Sequence, residues 1–365
     1  MSTKMSAKDL LTTTSFEPGD VTLLLKQTEG SPVTVEEKER LVANGGHYSD
    51  VFVKENPLTA SLKKAYQFAL HENNGARRLA YHVQYLAQQL VDSREANEPI
   101  VLISLVRAGV PLGVLLKRYV SRYFPQVPVA HYGISIIRDR GIDSRALETI
   151  YAQHPDALHY FVDGWTGKGS ISTELRAALA KTPQSFDYRL IVSSDPARTA
   201  TLCATHEDWL IPFGLVGAQI SGLFSRTLWS DQDYHTAAYF DDLESDDIAP
   251  SFINAVEQYT TLSIEPAEFP SDGPGLLNRQ SSQTASDVVS NVVQSFDLRS
   301  VHKVKPGIAE ATRAIHRRTP KVVILKNADS PETKYLLDLA VSKGVEVKIG
   351  LEGGMGPFKA ITILE

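Results

Sequence analysis

Hydrophobic and polar positions follow two different patterns along the chain. In residues 58–93, apolar positions recur near helical spacing, which predicts helices. From residue 99 onward, uninterrupted runs such as PIVLISLV are followed by polar loops and then by helical segments. Such strands, interleaved with helices, indicate a parallel sheet with helices on both faces. Ligands bind such sheets at the carboxyl ends of the strands.

The pattern changes again near the C-terminus. The stretch IEPAEFPSDGPGLLNRQSSQTAS is rich in Pro, Gly, Ser and Gln and has no periodicity, which predicts a linker over residues 263–285. Beyond it, helical and strand patterns alternate, with Ser330 as the expected N-cap of one helix. We therefore expect a large α/β domain over residues 1–262 and a small α/β domain over residues 286–365.

Composition adds charge asymmetry. The net charge is -6, but from Phe296 onward there are 12 Lys plus Arg against 8 Asp plus Glu, and before it 25 against 35. The basic C-terminal part is a candidate for nucleic acid binding. The single cysteine, Cys203, excludes an internal disulfide and a Cys-based structural zinc site. No apolar run could span a bilayer and the start carries no export pattern, so we expect a cytoplasmic protein.

The stretch YFVDGWTGKGSIS indicates a strand that ends at Asp163, a glycine-rich turn and a helix. Unpaired N–H groups at a helix N-terminus can hold a phosphate that approaches through glycines. The turn is not a P-loop, because Lys168 is followed by glycine and lacks the glycine required before it, and it does not match G-x-G-x-x-G. The candidate phosphate-binding residues are Asp163, Gly164, Thr166, Gly167, Lys168, Gly169 and Ser170.

This acid followed by a Thr/Gly-rich turn resembles the phosphoribosyl pyrophosphate loop of type I phosphoribosyltransferases. The resemblance implies that Asp163 binds the ribose hydroxyls and that the turn holds the 5-phosphate. Gly164 stands where that family usually has a second acid. An upstream loop, SLVRAGVPLG, is similar to the family's pyrophosphate loop, with Ser104, Arg107, Ala108 and Gly109 as candidate contacts.

The segment HYGISIIRDRGID lies where the family has a flexible loop that closes over the site, so Arg138 and Arg140 become candidate catalytic residues. The resemblance implies a type I phosphoribosyltransferase-like fold and a magnesium-dependent glycosyltransferase that moves a phosphoribosyl group to or from a base-like acceptor. Asp163 would then serve catalysis and Mg²⁺, and Arg107 would take up the charge of the leaving pyrophosphate. We also expect a homo-oligomer.

Flanking segments such as GGHYSDVFVKENPLTASLKKAYQFAL resemble phosphoribosyltransferases of tellurite-resistance and stress-response gene clusters, which carry a Pelota-type RNA-binding domain. The resemblance suggests an acceptor site made of Glu207, Asp208, Trp209, Ser221 and Arg226. In the tail, the RNA-binding candidates are Lys305, Gly307, Glu310 and Arg313. Ala309 replaces the asparagine of the kink-turn motif, and alanine cannot read base edges. Lys303, Arg317 and Arg318 could still bind RNA phosphates.

Two alternatives stay open. The first is a non-catalytic sensor of phosphoribosyl pyrophosphate that binds RNA through its tail, because a fold does not determine a function. The second is a cysteine hydrolase that uses Cys203 and His206 of TLCATHEDW, which stand three positions apart. The sequence shows no clear oxyanion hole near this pair.

Overall fold

The computed structural model describes residues 10–12, 14–28, 30–182, 186–260, 284–318 and 320–365. Residues 263–283 of the predicted linker lie outside the described residues. None of the described helices is both long and apolar enough to cross a membrane.

A twisted sheet of seven described strands forms the centre of the large unit. The strands of the large unit are β1 (Thr22–Leu23), β2 (Lys26–Gln27), β3 (Ile100–Val106), β4 (Val129–Ile137), β5 (Gly141–Ile142), β6 (Leu158–Val162), β7 (Leu190–Ser194), β8 (Leu202–Thr205) and β9 (Thr236–Ala237). The order of the sheet is β1-β4-β3-β6-β7-β8, all neighbours along this path are parallel, and β5 pairs antiparallel with β4. Nearly every residue of β3 is buried, as its uninterrupted apolar run predicts. Strands β2 and β9 form a separate two-stranded parallel pair.

Helices cover both faces of this sheet. The helices of the large unit are α1 (Val35–Ala43), α2 (Ala60–Gln67), α3 (Gly75–Asp92), α4 (Gly109–Tyr123), α5 (Ser144–Gln153), α6 (Ser170–Leu179), α7 (Pro212–Leu215), α8 (Ala218–Ser221) and α9 (Ala249–Thr260), with a π-helical turn over Phe68–Glu72 and a 3-10 helix over Asp241–Asp246. Helices α3, α4 and α9 contribute to the core on one face, whereas α5 and α6 contribute to the core on the other. The predicted α/β fold, with a parallel sheet flanked by helices, is confirmed.

The C-terminal unit is a small α/β structure. It contains α10 (Ala285–Ser295), a 3-10 turn (Val301–Lys303), β10 (Val304–Pro306), α11 (Ile308–Arg317), β11 (Pro320–Leu325), α12 (Pro331–Ser342), β12 (Glu346–Ile349) and β13 (Ala360–Leu364). The sheet order is β10-β13-β11-β12. Ser330 caps α12 as expected, because its side chain accepts a hydrogen bond from the Thr333 N–H. Strand β13, which has no counterpart in the sequence prediction, pairs with both β10 and β11.

The C-terminal unit packs directly on the large one. Apolar side chains of α11, including Ile308 and Ile315, belong to the same buried cluster as α3 and α4. Both carboxylate oxygens of Asp208 accept hydrogen bonds from the Ile308 N–H, at 2.9 and 3.0 Å, and one of them accepts from the Lys359 N–H at 2.7 Å. Glu332 reaches in the opposite direction and accepts from the Leu210 N–H at 2.9 Å. Two buried acids thus fasten the units together.

Candidate functional site

The loop expected to hold pyrophosphate follows β3, and its arginine is already paired. Nη1 of Arg107 lies 2.7 Å from Oε2 of Glu55 and donates to the carbonyl oxygen of Phe224 at 2.8 Å. Burial would raise the pKa of Glu55, but Arg107 and Arg317 hold it well below its ordinary value. The guanidinium of Arg107 therefore serves an internal ion pair, and its predicted contact with pyrophosphate stays a prediction.

The tip of the same loop packs tightly on the neighbouring strand. A Cβ atom at Gly109 would lie 2.0 Å from the carbonyl oxygen of Val162, so only glycine fits. Ser104 is fully buried; its hydroxyl donates to the Gly109 carbonyl oxygen at 3.0 Å and lies 2.7 Å from Nε2 of His131. Ala108 lines a cavity beside Arg107. Ser104 and Gly109 thus shape the loop from within.

Asp163 lies at the carboxyl end of β6, as predicted, and is buried. Its Oδ1 accepts a hydrogen bond from the Gly164 N–H at 2.8 Å. Burial raises its pKa to about 7 against this hydrogen bond. Mg²⁺ prefers several oxygen ligands, so a single buried carboxylate would need ligand oxygens from elsewhere to complete the coordination. The Mg²⁺ site at Asp163 stays a prediction.

Steric crowding explains why position 164 is a glycine. A Cβ atom there would lie 2.6 Å from Cε2 of Phe213 and 3.2 Å from the carbonyl oxygen of Ala108. Phe213 is buried and contacts the ring of Trp165. The acid expected at position 164 from the family resemblance would not fit beside this ring.

The C-terminal unit contacts the glycine-rich turn after Asp163. A Cβ atom at Gly167 would come within 3.5 Å of the carbonyl oxygen of Pro306, and Nζ of Lys168 donates to the Val301 carbonyl oxygen at 3.2 Å. The Thr166 N–H donates to the Ser194 carbonyl oxygen at 3.0 Å. Gly169 has a φ of 78°, and Ser170 begins α6. The turn has the strand–loop–helix form that the sequence predicts, but its open side contacts a second domain.

Arg138 and Arg140 follow β4 and contact other protein groups. Arg140 Nη1 lies 2.6 Å from a carboxylate oxygen of Asp50 and 3.0 Å from the Ser49 hydroxyl. Arg138 Nη1 lies 3.3 Å from Nδ1 of His302 in the C-terminal unit. Nothing in these contacts tests their predicted catalytic role.

The RNA-binding motif predicted in the tail faces the large unit. Gly307 and Glu310 line a small void with Trp165 and Trp209, and Gly307 precedes the helix that Asp208 caps. Arg313 lines the larger cavity beside Arg107. Lys305 is half-buried, and burial lowers its pKa. Gly307 is buried, and Lys305, Glu310 and Arg313 are partly exposed, so an RNA that used the whole motif would compete with the large unit for it.

The residues expected to contact an acceptor divide into two groups. Ser221 and Arg226 line the larger cavity. Glu207 and Asp208 instead contact the C-terminal unit, and Trp209 lines the small void between the units. Glu207 pairs with Arg78 and Lys359, each at 2.6 Å. The structure thus does not bring these five residues together.

Cys203 is the second residue of β8, and its side chain meets that of His206, which directly follows the strand. Sγ of Cys203 lies 3.6 Å from Nδ1 and 3.8 Å from Nε2 of His206. Nδ1 also lies 3.0 Å from the backbone carbonyl oxygen of Asp195. Because a carbonyl oxygen only accepts, a neutral ring that keeps this contact must carry its proton on Nδ1, and Nε2, 3.8 Å from Sγ, is then the nitrogen that can accept from the thiol. Cys203 is 6% exposed and His206 is partly exposed.

Asp195 organises the turn that leads to this pair. Its carboxylate accepts hydrogen bonds from the N–H groups of Thr199 and Ala200, at 3.1 and 2.8 Å, and from the Thr166 hydroxyl. Ligand atoms of Asp195, Cys203 and His206 all lie within 4.8 Å of one another. The group can therefore act as a nucleophile and base, or offer sulfur, nitrogen and oxygen ligands to a soft divalent metal.

Comparison with known proteins identifies the chain. Residues 14–257 match a family model described as "Tellurite-like stress resistance cysteine protease StiP", and residues 283–365 match a PELOTA RNA binding domain. A relative from Acinetobacter baylyi, named "Cysteine protease StiP", is 41% identical over 369 residues, covering 96% of this chain and 94% of the relative. The chain belongs to the StiP family.

This membership corrects the activity expected from the loops. The matching family and the curated relative are both named as cysteine proteases, so the prediction of a magnesium-dependent phosphoribosyltransferase, a glycosyltransferase, is wrong. The tellurite and stress-resistance association and the Pelota domain are confirmed as family features. The loops that suggested phosphoribosyl transfer have local causes instead, such as the packing of Gly109 on β6.

The solved structures to which this chain is similar include two phosphoribosyltransferases. A hypoxanthine phosphoribosyltransferase from Trypanosoma cruzi is 15% identical, with 34% of this chain and 69% of that chain covered at a TM-score of 0.24. The HGPRT-ase from Leishmania tarentolae is 15% identical, with 42% and 83% covered and a TM-score of 0.24. Scores this low carry no argument about function.

The sequence indicates Cys203 and His206 only as an alternative to the phosphoribosyltransferase site. The orienting group is the backbone carbonyl of Asp195, which no side-chain motif reveals. The available signal was the polar loop SSDPART between two apolar strands, which places Asp195 at a strand end near TLCATH.

Proposed function

We propose that this chain is a cysteine-dependent peptidase in which Cys203 is the nucleophile and His206 is the general base. The observation that carries the proposal is the arrangement of the Cys203 thiol, the His206 ring and the Asp195 carbonyl. A nucleophile, a base within reach and a third group that orients the base form the pattern of covalent catalysis. The names of the family and of its Acinetobacter baylyi relative support the same chemistry.

The contact between His206 and the Asp195 carbonyl oxygen indicates how the protons move during the reaction. With Nδ1–H held by Asp195, Nε2 of His206 accepts the thiol proton of Cys203, and the thiolate attacks the scissile carbonyl carbon. His206 then gives that proton to the leaving amine, so the C–N bond breaks and an acyl-enzyme thioester remains. Water, deprotonated by His206, attacks the thioester; the carboxylic acid leaves, and the proton returns to the cysteine sulfur.

The location agrees with this role. His206 directly follows the carboxyl end of β8, and the carboxyl ends of parallel strands are where such sheets bind ligands; Cys203 lies within the strand, opposite Val192 of β7. The Cys203 side chain faces a core that includes Val192 and Leu190, while the adjacent His206 is partly exposed. Substrate therefore approaches from the side of His206.

The single cysteine makes the test unambiguous, because every thiol signal reports on Cys203. We would measure peptide hydrolysis by mass spectrometry on a mixed peptide library, and the alkylation rate of the thiol with iodoacetamide. Cys203→Ser should abolish hydrolysis, and His206→Gln should lower it by about 100-fold or more. His206→Gln should also shift the pH dependence of alkylation toward the ordinary cysteine pKa of about 8.5.

Circular dichroism of Cys203→Ser is the control that shows whether this variant folds. A folded Cys203→Ser chain that hydrolyses peptides at the wild-type rate would remove Cys203 from catalysis. An alkylation profile unchanged by His206→Gln would remove His206 as its activator.

For the C-terminal unit we propose RNA binding, supported by the match of residues 283–365 to an RNA-binding domain. The exposed cations Lys303 and Arg318 would bind phosphates, and the partly exposed Lys305 and Arg313 would become more accessible if the units separated. Titration of the full chain with a labelled kink-turn RNA at two salt concentrations tests this. A double Lys303→Gln and Arg318→Gln variant that binds RNA with unchanged affinity and salt dependence would contradict the proposed contacts.

A further inference from the structure

A cavity of about 230 Å³ lies where the two units meet, and three arginines line it. Arg107 and Arg226 come from the large unit and Arg313 from α11 of the C-terminal unit. Apolar and aromatic side chains form most of the remaining wall: Val106, Pro111, Ile136, Ile137, Trp165, Phe213, Val216 and Ile220. The cavity therefore combines guanidinium groups with an apolar surface.

The charges around this cavity are unbalanced. Arg107 is paired with Glu55, and Glu55 also pairs with Arg317. Within the described part of the chain, the guanidinium groups of Arg226 and Arg313 make no ion pair with an acid. Arg226 is exposed and Arg313 is partly exposed, so an anion that enters the cavity could contact both guanidinium groups.

The effect of this crowding is visible on both arginines. Burial lowers the pKa of Arg313 to about 10, with Glu310 opposing and Arg317, Arg226 and Arg107 contributing. Burial and the charge of Arg107 also lower the pKa of Arg226. Burial, followed by the charges of Arg226 and Arg318, lowers the pKa of Lys38.

We propose that this interdomain cavity binds a small organic phosphate, whose anionic group contacts Arg226 and Arg313 and whose apolar body contacts the wall formed by Trp165 and Phe213. Two unpaired guanidinium groups match the charge of a phosphate monoester, about -1.5 to -2 at pH 7, better than that of one carboxylate. The two arginines come from different units, so ligand binding would hold the units together. Cys203 and His206 do not line this cavity, and the strand that leads to Arg107, β3, lies three strands from β8, which carries Cys203.

The test uses the full chain with Cys203→Ser, so that binding is measured without the proposed hydrolysis. Isothermal titration calorimetry with phenyl phosphate should show saturable binding. Arg226→Gln and Arg313→Gln should each weaken it about tenfold or more, the loss expected when a charge-assisted hydrogen bond is removed. Arg122→Gln and Arg299→Gln change an exposed arginine in each unit and should leave the affinity unchanged.

Related ligands test the chemical class. Inorganic phosphate should bind more weakly than phenyl phosphate because it lacks the apolar body, and benzoate should bind more weakly because it carries less charge. Equal affinity for benzoate would overturn the phosphate class, and equal affinity for inorganic phosphate would overturn the role of the apolar wall. If a Gln variant does not fold, Arg313→Lys keeps the charge but loses the forked donor and should weaken binding less.

The proposal fails if the folded Cys203→Ser chain shows no saturable binding of phenyl phosphate. It also fails if Arg226→Gln and Arg313→Gln bind it as tightly as the two control variants do. Either result leaves the peptidase proposal unaffected, because that proposal is tested by hydrolysis and alkylation.

Discussion

The carboxylate of Asp208 accepts the backbone N–H of Ile308 at 2.9 Å, so an acid of the large unit caps the first turn of a helix in the C-terminal unit. The same carboxylate accepts the Lys359 N–H at 2.7 Å. An acid at a helix N-terminus satisfies unpaired N–H groups and interacts favourably with the helix dipole. This one side chain therefore couples the two units.

We expect Asp208→Ala to destabilise the contact between the units by about 1–3 kcal/mol, because buried N–H groups would lose their acceptor. Limited proteolysis and thermal unfolding of the full chain would measure this. Asp329→Ala, which changes an exposed acid of the C-terminal unit, is the matched control. Equal cleavage rates in the two variants would show that Asp208 does not hold the units together.

The same substitution should strengthen RNA binding. Gly307, Glu310 and Arg313 face the large unit, so an RNA that uses them must compete with this packing. If Asp208→Ala releases the C-terminal unit, its affinity for a labelled kink-turn RNA should rise several-fold over that of the wild-type chain. Gel-shift titrations of Asp208→Ala and Asp329→Ala decide this, and weaker RNA binding by Asp208→Ala would contradict the competition.

The sequence predicted the elements whose patterns are local. Runs such as IVLISLV gave the buried parallel strands, and Ser330 marked the start of α12. Strand β13 was missed because its sequence, AITIL, is short and lies at the end of the chain, where only pairing with β10 and β11 makes it a strand.

The site was harder to predict because its decisive contacts join distant residues. Arg107 looked like a ligand-binding arginine, and no local pattern reveals that Glu55, 52 positions earlier, pairs with it. Likewise, the basic C-terminal motif looked like an open RNA surface, although Asp208 and Glu332 hold it against the large unit. The loop patterns led to the wrong activity because glycines at tightly packed strand ends resemble glycines that admit a phosphate.

Gly164 tests whether tight packing explains a glycine at the end of a strand. Gly164→Ala should destabilise the fold by about 1–3 kcal/mol because the new Cβ would overlap the Phe213 ring, a case of overpacking in a core. Urea unfolding would measure the loss. A second substitution, Phe213→Leu, opens space, so the loss caused by Gly164→Ala should be smaller in that background. Equal losses in both backgrounds would exclude the ring as the cause.

Asp163 should make stability depend on pH. Its pKa rises from 3.8 to about 7 on folding, so the folded state binds the proton more tightly and this contribution to stability is lost as pH rises from about 4 to 7. That difference corresponds to ~4 kcal/mol. In Asp163→Asn this contribution is absent, so the variant should gain stability relative to wild type by up to that amount between pH 4 and pH 8.

Urea unfolding at both pH values checks the expectation, with Asp156→Asn as an exposed control. Other titrating groups, such as Asp208, are present in every chain and cancel in the comparison. The expectation would be wrong if Asp163→Asn and wild type had the same pH dependence of unfolding free energy.

Zinc should inhibit the proposed dyad by binding it. Ligand atoms of Asp195, Cys203 and His206 lie within 4.8 Å of one another, and thiolate and imidazole are ligands that Zn²⁺ prefers. Micromolar Zn²⁺ should therefore slow alkylation of Cys203 by iodoacetamide, and EDTA should restore the rate. Because the ligands must lose their protons, protection should increase with pH. His206→Gln removes a ligand but keeps the thiol, so zinc should protect it much less; equal protection would show that zinc acts elsewhere.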